Sequence, residues 1–161
     1  MIQLIDNQLL DRITAEARAS NRKRKNYNFH KEYSDTLQRL LNAMEPGTYI
    51  RPHKHENPDK REAFWIIRGT IAVVLFNEQG DVIDCHVLNR DKGCFGIDLP
   101  PRTWHCLISI ESGSVAYEVK DGPYNPIDDK NFAPWAPPEA DTYASTIWLE
   151  QLLNRLEIKP A

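Results

Sequence analysis

The segment that most restricts how this chain can fold spans residues 47–69, GTYIRPHKHENPDKREAFWIIRG, and has the form G-x5-HxH-x6-E-x6-G. Side chains of an extended strand alternate between faces, so His53 and His55 point the same way and set two imidazoles side by side. Residues 56–61 (ENPDKR) are polar and contain Asn-Pro-Asp. That is turn chemistry, and it predicts a hairpin that returns Glu62 opposite the histidines. Two imidazoles and a carboxylate converging from paired strands suit a divalent first-row metal ion. His105, in Leu99-Pro100-Pro101-Arg102-Thr103-Trp104-His105, is the candidate for a fourth ligand.

The 47–69 stretch resembles the first cupin motif, and the Pro-x4-His segment from Pro100 to His105 resembles the second. In cupins these motifs supply a three-His, one-Glu metal site inside a small antiparallel barrel, and the resemblance carries that ligand set onto His53, His55, Glu62 and His105. The flanks YIRPHKH, GPYNP and APWAP look more narrowly like the WbuC family of cupin-fold metalloproteins, associated with surface-polysaccharide gene clusters; the likeness covers about residues 35–138. Three positions depart from the second motif. Arg102 stands where a Gly usually precedes the His, Cys94 stands beside Gly93 where another Gly is usual, and Ser109 stands in place of an Asn. The first of these marks a tight turn where positive φ is cheap for glycine. Arg102 therefore implies a different turn, stiffened by Pro100-Pro101, or a mildly strained one.

With 161 residues and 41% hydrophobic content, the chain can bury one sizeable core, which predicts a single compact domain. A formal charge of -3 gives no global field for nucleic acid or an anionic membrane. The longest apolar run, residues 71–76, is far short of the ~20 residues of a spanning helix. The N-terminus lacks the basic-then-apolar order of a secretory signal. Three cysteines without a C-x-x-C pair fit reduced thiols, and the expected location is cytoplasmic.

The expected fold is mainly β: one jelly-roll-like antiparallel cupin barrel with an N-terminal and a C-terminal α-helix. Residues 1–34 are read as helix and linker, 35–120 as the barrel, and 121–161 as a proline-rich loop and helix packed on it. Leu9, Leu10, Ile13 and Ala17 recur at helical spacing behind Asp6 or Asn7 as N-cap. The basic run NRKRK at residues 21–25 reads as a solvated linker, and His30 as an ordinary surface or hydrogen-bonded histidine. Strands are expected over 48–55, 63–67, 70–76, 82–88, 94–98, 105–110 and 114–120, broken by polar turns. Tyr143, Ile147, Trp148, Leu152 and Leu156 behind Asp141-Thr142 predict the second amphipathic helix, and apolar faces on terminal helices make a homodimer plausible.

If alternation extends back from His53, Arg51 and Tyr49 also point into the barrel. Arg51 would then anchor a carboxylate or phosphate, or else pair at the rim with Glu118. Arg102 is a second candidate for substrate binding, and Tyr49 and Glu118 are the candidates for acid–base catalysis. Phe64, Ile66 and Leu107 would form a dry wall behind the ligands. Cys85 and His86 face opposite ways and cannot easily share one ion, Cys106 should be a buried apolar filler, and no nucleophile elbow or nucleotide loop is present. The site would take one divalent transition metal ion per chain, Fe, Mn, Ni, Co or Zn, with open positions for a small ligand. Three readings follow: an isomerase or epimerase acting on a sugar derivative, an iron-dependent dioxygenase, and a metal-dependent binding module without turnover.

Overall fold

The computed structural model describes residues 2–127 and 129–161. In chain order the elements are α1 (Asn7–Ala19), β1 (Arg24–Asn28), β2 (Leu37–Met44), β3 (His53–Lys54), β4 (Glu62–Arg68), β5 (Thr70–Phe76), β6 (Val82–Asn89), a 3-10 turn (Arg90–Lys92), β7 (Gly96–Leu99), β8 (Trp104–Ser109), β9 (Ser114–Asp121), β10 (Asn131–Phe132) and α2 (Thr142–Arg155). The strands form two five-stranded sheets, β1-β2-β9-β4-β7 and β10-β3-β8-β5-β6. All pairings are antiparallel. This is the mainly β cupin jelly roll with a helix at each end of the chain.

Period-2 alternation sorts the side chains into three layers. Met44, Phe64, Ile66, Ile71, Val73 and Leu107 meet between the sheets. The opposite side chains of β2 and β9, Leu41, Ala43 and Val115, receive Leu9, Leu10, Ile13 and Ala17 of α1. The outer residues of β5 and β8, among them Val74, Phe76, Trp104 and Cys106, receive Leu149 and Leu152 of α2. Both helices begin on an aspartate cap: Leu9 N–H donates to Asp6 Oδ1 at 2.9 Å and Ala144 N–H to Asp141 Oδ1 at 2.9 Å. The proline-rich passage between β9 and α2 returns β10 to the edge of β3, and its Trp135 stacks among Phe76, Trp104 and Trp148. Among the described residues no helix is long and apolar enough to cross a membrane.

Two connections differ from the sequence reading. The expected strand over 48–55 is reduced to His53–Lys54. Pro52 has no N–H to give a ladder, and the chain before it is tied down sideways, with Arg24 Nη1 donating to Tyr49 O at 2.7 Å and Arg51 N–H to Glu139 Oε1 at 3.4 Å. Residues 56–61 do not close a hairpin. Both edges of β3 are occupied, by β8 and β10, so the chain crosses to the other sheet, where β4 pairs with β7 and β9. The glycine ending the motif makes the return crossing: Gly69 has φ +74°, and a Cβ there would lie 2.5 Å from Ser114 Oγ.

Candidate metal centre

His53 and His105 are directly opposite one another on β3 and β8, with ring centroids 4.6 Å apart. His55 follows on the same face, its centroid 5.1 Å from that of His53. Glu62 reaches the same point from the facing sheet, placing Oε2 3.1 Å from His55 Nε2 and 3.0 Å from His105 Nε2. All four residues are buried, and their potential ligand atoms lie within 4.8 Å of one another.

Each imidazole is held by a backbone carbonyl at Nδ1. His53 Nδ1 lies 3.0 Å from Arg51 O, His105 Nδ1 lies 2.9 Å from Thr103 O, and His55 Nδ1 contacts Asp129 O. A carbonyl only accepts, so Nδ1 carries the proton in all three rings, and the Nε2 lone pairs of the neutral rings are left for the cavity. Burial, with the charge of Lys130 next, holds the His53 pKa well below the ordinary imidazole value. Burial pushes the Glu62 carboxyl up, and the hydrogen bonds and charges of His105 and His55 that would hold it well below its ordinary value require protons on their Nε2 atoms; where Nε2 is bare, a cation has to take that place. His105 Nε2 is buried and has no hydrogen-bond partner despite its nearness to Glu62. Lone pairs on nitrogen thus face a carboxylate oxygen, an arrangement that a cation between them stabilises. Three neutral imidazoles and one carboxylate, with bonds of about 2.0–2.2 Å, fit a divalent transition metal ion, and the Nδ1 carbonyls are the outer partners that fix such rings.

In front of these residues lies a cavity of about 310 Å³. One wall is the inner face of the β1-containing sheet, which presents Arg24, Asn26 and Asn28 from β1, Gln38, Leu40 and Asn42 from β2, and Glu118 and Lys120 from β9, each set two residues apart. Phe64, Leu107 and Ile50 supply its apolar floor. Asn42 Nδ2 donates to Glu118 Oε2 at 3.3 Å. Burial and the neighbouring Glu62 charge, against Lys120, push the Glu118 carboxyl up to about 8, an effect that a cation on Glu62 would reduce. Lys120 is held by Asp129 Oδ2 at 2.5 Å, which also takes Lys60 through Oδ1 at 2.8 Å.

Of the residues singled out in the sequence, Glu118 lines this cavity, while Tyr49, Arg51 and Arg102 do not. Tyr49 packs under α2 against Trp148, and its hydroxyl donates to Pro137 O at 2.8 Å. Arg51 donates from Nη2 to Ala133 O at 2.7 Å and lies over the Phe132 ring rather than pairing with Glu118. Alternation cannot be carried back through Pro52, where the chain leaves the ladder. Arg102 is exposed and paired with Asp59, and its φ of 65° is the mildly strained form of the turn. The basic run read as a solvated linker instead enters the fold: Arg22 and Arg24 line the cavity mouth and share Glu139, and β1 is an edge strand. His30 is buried at the same wall, accepting at Nδ1 from Arg39 N–H at 3.1 Å. The alternation of Arg24, Asn26 and Asn28 in RKNYN was the available signal for this wall. Lys130, in the loop between β9 and β10, had none.

Fold and site together define a protein of cupin-type fold with a buried His/Glu cluster able to hold a metal ion. The model of a family described as a domain of unknown function, DUF6016, matches residues 5–88, and the chain belongs to that family. No curated protein matches it. Among solved structures, CapF with the inhibitor 3-isopropenyl-tropolone is similar at 22% identity and TM-score 0.55, over 66% of this chain and 30% of CapF. The capsular polysaccharide assembling protein CapF from Staphylococcus aureus aligns at 21% identity and TM-score 0.55, over 66% of this chain and 28% of that one. Oxalate oxidase in complex with the substrate analogue glycolate aligns at 14% identity and TM-score 0.52, over 84% of this chain and 68% of that one. The chain thus spans less than a third of CapF, and at these identities the likenesses carry the fold.

Proposed function

We propose that this chain is a metal-dependent cupin protein in which His53, His55, Glu62 and His105 hold one divalent transition metal ion, and that it acts on a small polar, carbohydrate-related molecule, by isomerisation or epimerisation. The observation that carries the reading is the common orientation of three buried imidazoles, each fixed at Nδ1 by a main-chain carbonyl with Nε2 turned towards Glu62. A bound ion of this kind would polarise a carbonyl or hydroxyl of the molecule. Glu118, buried on the cavity wall beside Asn42, is the group placed to take and return a proton. Asn26 and Asn28 offer amides to sugar hydroxyls, while Phe64 and Leu107 exclude water behind the ligands.

Resemblance to the WbuC family in the flanks of both motifs supports a place in surface-polysaccharide metabolism, and reduced thiols go with a cytoplasmic protein. Tyr143 and Ile147, exposed on α2, supply an apolar face for a homodimer. The test is metal analysis of the purified protein, followed by assays for turnover of monosaccharides and their acids. About one ion per chain and turnover lost in Glu118→Gln with the metal retained support the reading. Metal and ligand binding without turnover would make the protein a binding module, and oxygen consumption coupled to substrate loss would make it a dioxygenase.

A further inference from the structure

The whole chain carries a formal charge of -3, yet the cavity in front of the candidate metal centre collects cations. Three cations, Arg22, Arg24 and Lys120, line the cavity against two carboxylates, Glu62 and Glu118; Arg22 and Arg24 share the carboxylate of Glu139 behind the lining, and Lys120 shares that of Asp129 with the buried Lys60. Lys130 adds another. It lines the cavity beside His53, Glu62 and Glu118, and among the described residues it makes no hydrogen bond or ion pair. Burial and the charges of Lys120 and Arg24 disfavour this ammonium more than the carboxylates of Glu118 and Glu62 support it, so an anion bound beside it would stabilise it. In the same cavity, the buried Asn42 turns its amide nitrogen to Glu118 and leaves Oδ1 with no hydrogen-bond partner, an acceptor open to a hydroxyl donor.

The geometry points to a small hydroxylated carboxylate, of the sugar-acid class, as the ligand of this cavity, with Lys130 seating the carboxylate and Asn42 Oδ1 accepting from a hydroxyl. This deepens the carbohydrate reading above and rests on it for the role of the metal, but the charge preference stands on the cation set alone. About 310 Å³ lies at the small end of ligand sites and suits a single sugar acid. The cations draw the anion in, and the neutral amides of Asn26 and Asn28 remain for the other hydroxyls.

Calorimetric titration with D-glucuronate, D-glucose and acetate, each on the metal-loaded and the chelator-treated protein, tests the assignment. Lys130→Met and Asn42→Ala are titrated alongside, with metal content and circular dichroism recorded for every sample. Glucuronate is expected to bind at least about tenfold more tightly than glucose or acetate. Lys130→Met should lose about tenfold or more of that affinity, as when one partner of a buried charge pair is removed, with metal content unchanged. Asn42→Ala should weaken glucuronate while leaving acetate unchanged. Glucuronate binding no tighter than glucose, or undiminished in Lys130→Met, in both forms of the protein overturns the proposal and leaves the metal reading intact. Lys130-dependent binding in a protein that takes up no metal supports the anion seat and removes the metal reading instead.

Discussion

The main-chain carbonyl of Asp129 accepts the Nδ1 proton of His55, while the carboxylate of the same residue bridges the ammonium groups of Lys60 and Lys120. One loop residue thereby joins the orientation of a candidate ligand to a buried cluster that ties the 56–61 crossing, β9 and the proline-rich passage together. Asp129→Ala leaves two lysines without their shared counter-charge in the interior, where side-chain exposures are 2% for Lys60 and 5% for Lys120. Urea unfolding is expected to show a loss of about 3 kcal/mol, the scale for breaking one member out of a buried ion cluster. As the loop loosens, the His55 ring loses its fixed orientation, and a competition titration with a metal indicator should show affinity down by about tenfold. Unchanged stability and unchanged affinity would reduce the cluster to an incidental contact.

Removal of a candidate ligand should act on the metal and spare the barrel. In His105→Ala and Glu62→Gln the metal content of the purified protein is expected to fall from about one ion per chain to near zero. The fold does not depend on the ion, because Phe64, Ile71, Val73 and Leu107 remain buried between the sheets, and burying side chains of this size contributes roughly 1.5–3 kcal/mol each. Circular dichroism and a cooperative thermal transition, recorded after chelation for both variants and the parent, check this. A variant that retains the ion removes its residue from the ligand set.

How much of this was legible in the sequence follows from which rules act locally. The spacing of His53, His55 and Glu62 brought the right side chains to one point even though the connection inferred between them was wrong: residues 56–61 cross between sheets, and the facing sheet delivers Glu62 as effectively as a hairpin would. Face alternation is a property of a paired strand, and it failed at Tyr49 and Arg51, because the chain is not in a ladder before His53. The first helix was readable from Leu9, Leu10, Ile13 and Asp6 alone, since period and cap are local. Lys130 and Asp129 were not readable, because their place at the cavity is set by the pairing of β10 with β3, a long-range contact that no local pattern records.

Acid should weaken the contact of Glu139 with Arg22 and Arg24, which line the cavity. Burial pushes the Glu139 carboxyl up, but the charge and hydrogen bond of Arg24, with Arg22 and the Arg51 N–H, outweigh it and hold the pKa below its ordinary 4.5. A depressed folded-state pKa means that the native state binds this proton less readily than the unfolded chain. Its stabilising contribution is therefore complete above the ordinary carboxylate range and is lost as pH falls through the lowered folded value. Thermal unfolding between pH 7 and pH 3 should show a smaller acid-side drop in Glu139→Gln than in the parent, with Glu139→Gln the less stable at pH 7. Parallel curves for the two proteins would show that Glu139 titrates alike in both states.

Arg102 pairs a backbone cost with a weak compensation, and the balance predicts the effect of restoring glycine. Its φ of 65° lies in the left-handed region, where an ordinary side chain costs about 1–2 kcal/mol. The conformation is imposed by the turn that precedes β8: Arg102 N–H donates to His55 O at 3.1 Å, so the backbone cannot relax without releasing the main chain of a candidate ligand. Against this cost stands the ion pair of Arg102 Nε with Asp59 Oδ1 at 2.9 Å, between side chains 62% and 43% exposed, a type worth about 0–1 kcal/mol. Glycine adopts the left-handed region without penalty but adds freedom to the unfolded chain, an opposing effect of about 0.4–1 kcal/mol. Arg102→Gly is accordingly expected to be more stable in urea unfolding than Arg102→Ala, which keeps the strain and loses the ion pair, and to lie close to the parent, within about 1–1.6 kcal/mol. Metal affinity should be the same in Arg102→Gly and the parent, because the N–H to His55 O survives the substitution; a loss there would show that the guanidinium, and not the main chain, steadies the turn.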